Sequence, residues 1–519
     1  MKLKALFSAM CLVAATSGFN AFAQQVKPQD VEQAVNDAMS QFNIPGIAIA
    51  VVENDKVVLA KGFGVRHLES KAPVNANTLF GIASNSKAFT AAALAMLVDE
   101  GKITWDDKVI KHIPEFKLHD SYATREMTIR DLLSHRSGLG LGAGDLMIWP
   151  DTNKSVSELI EGISHLKPVS SFRSQYAYNN LMFVMAGEVV ARVSGLSWQE
   201  FVEQRMMKPL EMTTSRAGFS RIAKGNQNWA TGHIPMEGKL TPFFVNYLED
   251  FRGAGAIASN VNEMSQWLLT QLDGGKMPNG KQLFSTEQQV QMWHPHIMRV
   301  ASKNAFEAYR QQFRGYGLGW SIEDYNGFKK VGHGGGILGM VSQVAMIPEK
   351  KLGVVVLSNQ QAYPALTAII NEVFEDALGL EEQDYVTKAA ERFHKGKKEA
   401  YAKAGAVKLE QVQPTLPVQN YTGTLTSDWY GDVIVEYVAD ELRIEFTHTK
   451  MLKGKLEHHT GNTFIVRWDD ALLEADAYIH FEMDKAQQVM SASMEYVNPH
   501  ITDFSFDFHN LNLKAKRAE

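Results

Sequence analysis

Cysteine is almost absent from this sequence, because the one cysteine among 519 residues is Cys11. It lies in a stretch with a basic start (residues 1–4), an apolar run (5–19) and small residues at positions 21 and 23. This is the pattern of a cleaved secretory signal peptide. We therefore expect residues 1–23 to be removed and the mature chain to be a periplasmic or secreted protein. Without thiols it has no disulfides and no cysteine nucleophile.

The rest of the sequence lacks the patterns of several other protein classes. No later apolar run is long enough to cross a bilayer, so we expect no permanent membrane span. The net charge of −6 argues against a nucleic-acid partner, because phosphate binding requires a basic excess. A Gly-x-Ser-x-Gly elbow, a His-Glu-x-x-His motif and paired cysteines are all missing. We therefore expect neither an α/β-hydrolase nor a metal or cofactor site.

The most informative pattern that is present is a Ser-x-x-Lys quartet formed by Ser84 and Lys87. It lies between an apolar stretch (79–83) and a helical pattern (88–100). On a helix these two side chains share one face, so the lysine amine can take the proton of the serine hydroxyl. Ser84 is therefore the candidate nucleophile, and Lys87 is its candidate base.

The same quartet occurs a second time, at Ser164 and Lys167. Pro168 follows directly, and the residue before a proline is disfavoured from helical geometry. We therefore predict that Ser164 is a surface-loop or helix-end residue, which makes it an internal control for Ser84.

A second candidate element is the Tyr-Asn-Asn triplet that begins at Tyr178, just before a helical pattern over 181–193. Tyrosine is a poor base at its ordinary pKa of about 10. A role in proton transfer therefore requires the ammonium of Lys87 beside it, which would favour the phenolate. Asn180 could hold a substrate carbonyl or orient Lys87. The alternative is that Tyr178 is simply an amphipathic residue at a helix start.

A third element is glycine-rich and spans residues 331–339, between two strand patterns. Glycines on a strand let a ligand or another backbone approach closely. We expect this strand edge, which carries His333, Gly335 and Gly336, to line a cleft. Its last six residues also match Gly-x-Gly-x-x-Gly, but a strand follows where a dinucleotide site needs a helix. A structural glycine bulge is the remaining alternative.

Strand patterns occur at both ends of the first 380 residues. The sequence predicts a hairpin over 46–53 and 56–64, helices over most of 84–269, strands over 316–322, 328–331, 340–347 and 352–358, and a helix over 365–378. Because strands flank a helical middle, we predict an α+β domain over 24–380, with one antiparallel sheet flanked by helices.

The composition changes after residue 380. Residues 381–403 are charged and poor in apolar positions, and prolines follow at 414 and 417, so we predict a linker over 381–417. Alternating patterns over 433–437, 442–446, 464–468 and 504–508 then predict a small all-β barrel over 418–519.

The three elements in this order resemble the serine β-lactamase and penicillin-binding-protein superfamily, with the closest similarity to its class C β-lactamase and D-peptidase branch. The resemblance covers about residues 30–380, and the stretches 132–139, 253–259 and 316–320 are similar to that family too. It implies that Ser84 is acylated and that Lys87 and Tyr178 share the proton transfers. The β segment after the linker resembles lipocalin-like barrels found on some of these hydrolases.

The resemblance also implies a set of substrate contacts. Asn180, His333 and Gly335 would contact the substrate, and the N–H groups of Ser84 and Gly336 would form the oxyanion hole. No metal or cofactor is implied. A small peptide, ester or lactam would be the substrate, and the oligomeric state is left open.

Two features depart from the β-lactamase pattern. There is no Ser-Asp-Asn triplet, and His333 takes the place of the lysine in Lys-Thr-Gly. A permanent cation is thus replaced by a group that is mostly neutral at pH 7. Since the His-x-Gly variant is familiar among esterases and D-amino-acid-specific peptidases of the superfamily, we expect an exported peptidase or esterase. A β-lactamase of low activity and a non-catalytic penicillin- or peptidoglycan-binding protein are the alternatives.

Overall fold

The computed structural model describes residues 25–236, 238–244, 248–405 and 414–516. The predicted signal peptide and residues 406–413 of the predicted linker lie outside the described residues. The described chain forms an N-terminal α+β domain followed by a closed β-barrel, as the sequence predicts.

The helices of the described chain lie mainly in the N-terminal domain. In chain order they are α1 Pro28–Phe42, α2 Ser86–Asp99, α3 Val109–His112, α4 Ser121–Glu126, α5 Ile129–Leu132, α6 Val156–Ile163, α7 Asn180–Ser194, α8 Trp198–Phe201, α9 Val261–Leu272, α10 Thr286–Met292, α11 Lys303–Tyr309, α12 Tyr363–Leu378 and α13 Tyr385–Gly405. The last of these, α13, occupies most of the predicted linker.

The strands of the N-terminal domain form one large antiparallel sheet and two small pairs. They are β1 Gly46–Glu53, β2 Lys56–Gly64, β3 Phe80–Gly81, β4 Gly232–Met236, β5 Lys239–Phe243, β6 Ala258–Ser259, β7 Ile297–Arg299, β8 Arg314–Tyr316, β9 Ser321–Tyr325, β10 Phe328–Ile337, β11 Met340–Ile347 and β12 Leu352–Ser358. The large sheet has the order β2-β1-β12-β11-β10-β9-β8-β7. Ile47 lies opposite Ser358, so strands from the two ends of the domain pair as expected.

Both faces of the central strands are covered by helices, so β1, β11 and β12 are buried at every position. On β1, Ile47, Ile49 and Val51 pack in the core formed with α1 and α12. Ala48 and Ala50 point to the opposite face and join the core that contains α2. The sequence of a strand that is buried on both faces is a continuous apolar run, and β1 has such a sequence.

One predicted strand is wrong in its bounds. The stretch predicted over 316–322 is divided into β8 and β9 by a turn at 317–320. A Cβ added at Gly319 (φ +77°) would lie 2.8 Å from the carbonyl oxygen of Lys87. The turn therefore passes directly against the backbone of α2, where a straight strand does not fit.

The C-terminal part is an up-and-down barrel of antiparallel strands, each paired with its neighbours in sequence. Its strands are β13 Gly423–Ser427, β14 Gly431–Val438, β15 Glu441–Phe446, β16 Lys453–Thr460, β17 Thr463–Trp468, β18 Ala477–Met483, β19 Val489–Tyr496 and β20 Leu513–Ala515. Inward-facing apolar side chains, among them Ile444, Val466 and Ile479, are buried and fill the interior.

The strand predicted over 504–508 is wrong. This segment consists of turns that lead into a 3-10 helix, Phe508–Asn510. The alternation of aromatic and polar residues predicted a strand with one solvent-exposed face. In the structure Ser505 and Asp507 are buried, as are Phe506 and Phe508. The polar positions are buried because the segment lies against the N-terminal domain instead of in the barrel wall.

No single helix of the described residues is both long and apolar enough to span a membrane. The pair Asn180–Ser194 and Trp198–Met207 meets the length and composition criteria only when its two parts are taken together, across a bend of 73°.

Candidate active site

Ser84 lies in a short 3-10 turn, Ala83–Asn85, between β3 and α2. The preceding residue, Ala83, has a left-handed backbone (φ +47°), which is uncommon for a residue with a Cβ. This sharp turn places Ser84 just before α2 and Lys87 within the first turn of the helix. The Ser84 side chain is half-buried, while the Lys87 side chain is fully buried.

Three polar atoms surround the Nζ of Lys87. The Oγ of Ser84 lies at 3.0 Å, the Oδ1 of Asn180 at 2.7 Å and the carbonyl oxygen of Ala254 at 2.8 Å. Burial lowers the pKa of Lys87 to about 7, and the nearby Asp145 partly offsets that effect. A neutral amine has two N–H donors and one lone pair. The two N–H groups of a neutral Lys87 then donate to the Oδ1 of Asn180 and the carbonyl oxygen of Ala254, which can only accept. The lone pair of the amine faces the Ser84 hydroxyl.

The hydroxyl of Tyr178 donates a hydrogen bond to the Oγ of Ser84 at 2.7 Å. The Nζ of Lys87 lies 4.8 Å from the centre of the Tyr178 ring. Burial raises the pKa of Tyr178 well above its ordinary value. The expected phenolate is therefore wrong, because desolvation of the charged form outweighs the proximity of the lysine. Tyr178 is a neutral phenol that can donate a proton.

Asn180 joins Lys87 to a carboxylate that the sequence analysis did not single out. Its Oδ1 accepts from Lys87, and its Nδ2 donates to the Oδ2 of Asp145 at 2.8 Å. Both polar ends of the amide are therefore used inside the protein, which favours orientation of Lys87 over contact with a substrate carbonyl. Burial raises the pKa of Asp145 to about 7.

His333 lies on β10 and is buried. Its Nδ1 is 2.6 Å from the carbonyl oxygen of Gly334, and its Nε2 is 2.8 Å from the hydroxyl of Tyr316. Since a carbonyl only accepts, the proton is on Nδ1, and Nε2 accepts from the tyrosine. Burial lowers the pKa of His333 to about 3, with Lys87 adding to the effect. The His333 imidazole is therefore neutral.

The two glycines that follow have different surroundings. A Cβ at Gly335 would lie 2.2 Å from the carbonyl oxygen of Ile82, 2.5 Å from the Oγ of Ser342 and 3.0 Å from the backbone N of Ser84. Gly335 thus lets β10 pass against the turn that carries Ser84. Gly336 is exposed, and the nearest atom to its Cβ position is 4.0 Å away.

A cavity of about 590 Å³ lies at this site, and the buried Lys87 and Asp145 are not among the residues that line it. Its lining includes the predicted residues Ser84, Tyr178, Asn180, His333, Gly335 and Gly336. Arg299 also lines it and lies 4.3 Å from the centre of the Tyr176 ring, without an ion pair to any described carboxylate. The structure therefore brings every predicted site residue to one place.

The barrel supplies part of the cavity wall, through Asp503, Phe504 and Ser505. The carboxylate of Asp503 accepts the N–H of Ser505 at 2.8 Å and forms no ion pair with a described residue. Burial raises its pKa. These residues could not be recognised as part of the site from the sequence, because their alternating pattern is typical of a strand and they lie more than 400 positions from Ser84 in a chain of 519 residues.

The second Ser-x-x-Lys quartet is not part of the cavity. Ser164 is the residue that ends α6, as the helix-end prediction states. Among the residues that the structure describes, no group of three or more His, Cys, Asp or Glu side chains could hold a metal ion.

Comparison with known proteins gives two family matches. The family model described as Beta-lactamase matches residues 31–373. A second model, described as a domain of unknown function (DUF3471), matches residues 408–515. The unguisins hydrolase ungD of Aspergillus violaceofuscus is 26% identical over 470 residues, which are 84% of this chain and 82% of that protein. Protein flp of Staphylococcus aureus is 26% identical over 340 residues, 64% of this chain and 63% of that protein.

Solved structures share the fold. The octameric penicillin-binding protein homologue from Pyrococcus abyssi has a TM-score of 0.61 at 23% identity, covering 90% of this chain and 98% of that one. A class C beta-lactamase has a TM-score of 0.55 at 20% identity, covering 68% of this chain and 96% of that one. The α+β fold class predicted from the sequence is confirmed.

Proposed function

Because the chain belongs to the beta-lactamase family of serine hydrolases, we propose that it cleaves small acyl substrates through an acyl-enzyme on Ser84. One observation carries this proposal: the Oγ of Ser84 lies within hydrogen-bond distance of both Lys87 and Tyr178 at the wall of an open cavity. A nucleophile, a base and a proton donor are the minimum set for acyl transfer without a Ser-His-Asp triad.

Acylation follows from the protonation states of these groups. The neutral amine of Lys87 takes the proton of the Ser84 hydroxyl while Oγ attacks the substrate carbonyl. The N–H groups of Ser84 and Gly336 stabilise the oxyanion that forms. When the intermediate collapses, the phenol of Tyr178 gives its proton to the leaving nitrogen or oxygen. The Lys87 ammonium then returns a proton to Tyr178, which leaves a neutral lysine and the acyl-enzyme.

Deacylation uses the same groups with water as the nucleophile. The neutral amine of Lys87 accepts a proton of the water as the water oxygen attacks the ester carbonyl, and the Lys87 ammonium returns that proton to Ser84 Oγ as it leaves. Carboxylic acid and free enzyme result. This second half requires water to reach the ester, which the open cavity permits.

The neutral His333 favours peptides or esters over β-lactams as substrates. A β-lactam presents a carboxylate, which the superfamily's lysine would bind as a permanent cation. Burial keeps His333 uncharged over the whole physiological pH range. A low β-lactamase activity is the second candidate, because Arg299 lines the cavity as a cation that forms no ion pair with a described carboxylate.

Asp503 favours a substrate with a free amine. Its carboxylate faces the cavity without a cationic partner among the described residues. An ammonium group of the substrate would relieve the cost of holding this charge away from water. A short peptide with a free amino terminus, containing a D-amino acid as the superfamily branch implies, meets this requirement, whereas a simple ester does not.

Names of relatives agree with the general chemistry only. Unguisins hydrolase is by name a hydrolase, and from that name we carry over to this chain hydrolysis alone.

The N-terminal pattern supports export to the periplasm or the medium, and Edman or mass-spectrometric determination of the mature N-terminus tests it. A start near Gln24 is expected.

Covalent labelling tests the acyl-enzyme. Purified protein is treated with a fluorophosphonate or a penicillin and analysed by intact-mass and peptide mass spectrometry. A single adduct on Ser84 is expected. Ser84→Ala should abolish it, and Ser164→Ala, which removes the serine of the second quartet, should leave it unchanged. An unmodified wild-type protein would support the non-catalytic binding alternative.

A substrate panel tests specificity. It contains a D-alanyl p-nitroanilide with a free amine, its N-acetyl derivative, a p-nitrophenyl ester and a chromogenic cephalosporin. We expect the free amine to be preferred over the N-acetyl compound. Asp503→Asn should remove that preference, while leaving ester hydrolysis within about twofold, because this carboxylate is not used in the proton transfers. Equal rates for both peptides in the wild type would contradict the role of Asp503.

A further inference from the structure

Residues 503–507 of the barrel, here called the docking segment, pack on the loop that carries Asp145. The Oδ2 of Asp507 accepts the backbone N–H of Gly144 at 2.6 Å. A Cβ at Gly142 would lie 2.7 Å from the ring of Phe504, so the two backbones approach closely. The N–H of Gly142 in turn donates to the carbonyl oxygen of Tyr178 at 3.0 Å.

A continuous chain of hydrogen bonds joins the docking segment to the nucleophile. The Oγ of Ser505 donates to the Oδ2 of Asp145 at 3.1 Å. The same oxygen accepts from the Nδ2 of Asn180 at 2.8 Å. The Oδ1 of Asn180 accepts from Lys87 at 2.7 Å, and Lys87 lies 3.0 Å from the Oγ of Ser84. Asp145, Asn180 and Ser505 are all buried, so water does not compete for these bonds.

We propose that Asp145 is a positioning residue for Lys87 and that the barrel, through Ser505, holds Asp145 in place. The active site is then completed by the C-terminal domain, and release of the docking segment would lower the rate of acylation. This inference rests on the proposed function, since it concerns the base of that reaction.

The orientation of the Asn180 amide explains why a carboxylate is needed. An amide whose Nδ2 faced Lys87 would present a donor to a donor. Asp145 accepts from Nδ2 and thereby turns Oδ1 toward the lysine. Ser505 donates to the same oxygen of Asp145. This hydroxyl of the C-terminal domain therefore stabilises the orientation of Asp145, and through it that of the Asn180 amide.

Several charged and titratable groups surround this chain. Asp145 faces Lys87 through Asn180, and Asp503 and Asp507 of the docking segment raise the negative potential at Asp145. His135 and His333, on the other sides of Lys87, are kept neutral because burial lowers the pKa of each. Asp145 is thus the group that stabilises the Lys87 ammonium, and its loss should lower the pKa of the lysine.

The rate of fluorophosphonate labelling of Ser84 as a function of pH tests the proposal, with steady-state kcat and KM for the preferred substrate measured alongside. Ser505→Ala should lower kcat and the labelling rate by about tenfold, the size of one hydrogen bond to a charged group, with KM little changed. Asp145→Asn should shift the acid limb of the labelling rate to lower pH, because it keeps the side-chain volume but removes the charge. Ser493→Ala, on the exposed surface of the barrel, is the matched control and should match wild type.

Unchanged rates and an unchanged acid limb in both folded variants would overturn the proposal. Folding of each variant is checked by its thermal midpoint. Asparagine is used at position 145 because a smaller residue such as alanine would leave a cavity. Failure of the proposed function has a different signature, since Ser84 would then not be labelled even in the wild type.

Discussion

The Tyr178 hydroxyl donates a 2.7 Å hydrogen bond to the Ser84 Oγ, the atom that the Lys87 amine approaches to 3.0 Å. The proposed nucleophile thus lies between a phenol whose pKa is raised by burial and an amine whose pKa is lowered by burial. Burial moves both groups toward their neutral forms. The lysine is thereby suited to accept a proton and the tyrosine to donate one at neutral pH.

Tyr178→Phe should slow cleavage of amides far more than cleavage of activated esters. The variant loses the proton donor to the leaving group, and positioned acid catalysis contributes a factor of about 10² to 10⁴. A p-nitrophenolate leaves without a proton, whereas an amine does not. We expect the anilide-to-ester ratio of kcat/KM to fall by at least about tenfold, measured on the two p-nitro substrates. An equal loss on both would show that Tyr178 acts before the leaving group departs.

Lys87→Ala should lower kcat/KM by about 10² or more, because it removes the base. In the wild type, kcat/KM should rise with pH through about 7, as burial lowers the pKa of Lys87 to that value and only the free amine accepts a proton. Asp145 titrates in the same range, so the observed value belongs to the pair. An acid limb below pH 5 would assign the base to another group. The measurement is a pH–rate profile from about pH 5 to about pH 9.

Gly335→Ala should disable the site, whereas Gly336→Ala should leave the fold intact. A methyl group at position 335 meets the Ile82 carbonyl oxygen at 2.2 Å, so β10 must move away from the turn that carries Ser84. At position 336 no atom lies nearer than 4.0 Å. We expect a loss of Ser84 labelling with a lower thermal midpoint for the first variant. The second should keep its stability within about 0.5 kcal/mol, and a wild-type rate in Gly335→Ala would contradict this account.

Asp131→Ala should destabilise the N-terminal domain by about 3–5 kcal/mol, because it leaves the half-buried Arg136 without its carboxylate. The fully buried Asp131 accepts from Arg136 at 2.7 Å and from Arg173 at 2.6 Å. Asp106→Ala is the control, since this carboxylate is 71% exposed and pairs with Arg130 at the surface. It should cost less than about 1 kcal/mol. Urea unfolding followed by circular dichroism measures both.

Asp131 also predicts a direction for acid unfolding. Burial alone would raise its pKa, but hydrogen bonds and charges from Arg173 and Arg136 hold that pKa below its ordinary value. The unfolded chain therefore binds the proton at higher pH than the folded one. Its contribution to stability is present above about pH 4, the ordinary pKa of aspartate, and is lost as the pH falls through the lower folded value. The stability difference between wild type and Asp131→Asn should shrink over that interval, and a constant difference would contradict the assignment.

Much of the fold could be predicted because its signals are local. The hairpin of β1 and β2 and the strands β11 and β12 have the bounds that their apolar runs and turn residues indicate. The pairing of distant strands could be predicted only in general terms, as an antiparallel sheet that contains strands from both ends of the domain. The turn at 317–320 was missed because its cause is the backbone of α2, which is distant in sequence.

What the sequence by itself determined was the candidate nucleophile Ser84 and its contact with Lys87, because the two residues share one turn of chain and their spacing alone brings them together. Only the tertiary structure decided the protonation of these groups and the part played by the barrel. Desolvation depends on every surrounding atom, so it reversed the expected phenolate of Tyr178. The segment 503–507 has the alternation of a strand, but the N-terminal domain rather than solvent covers its polar face, and residues 503–505 therefore line the candidate site.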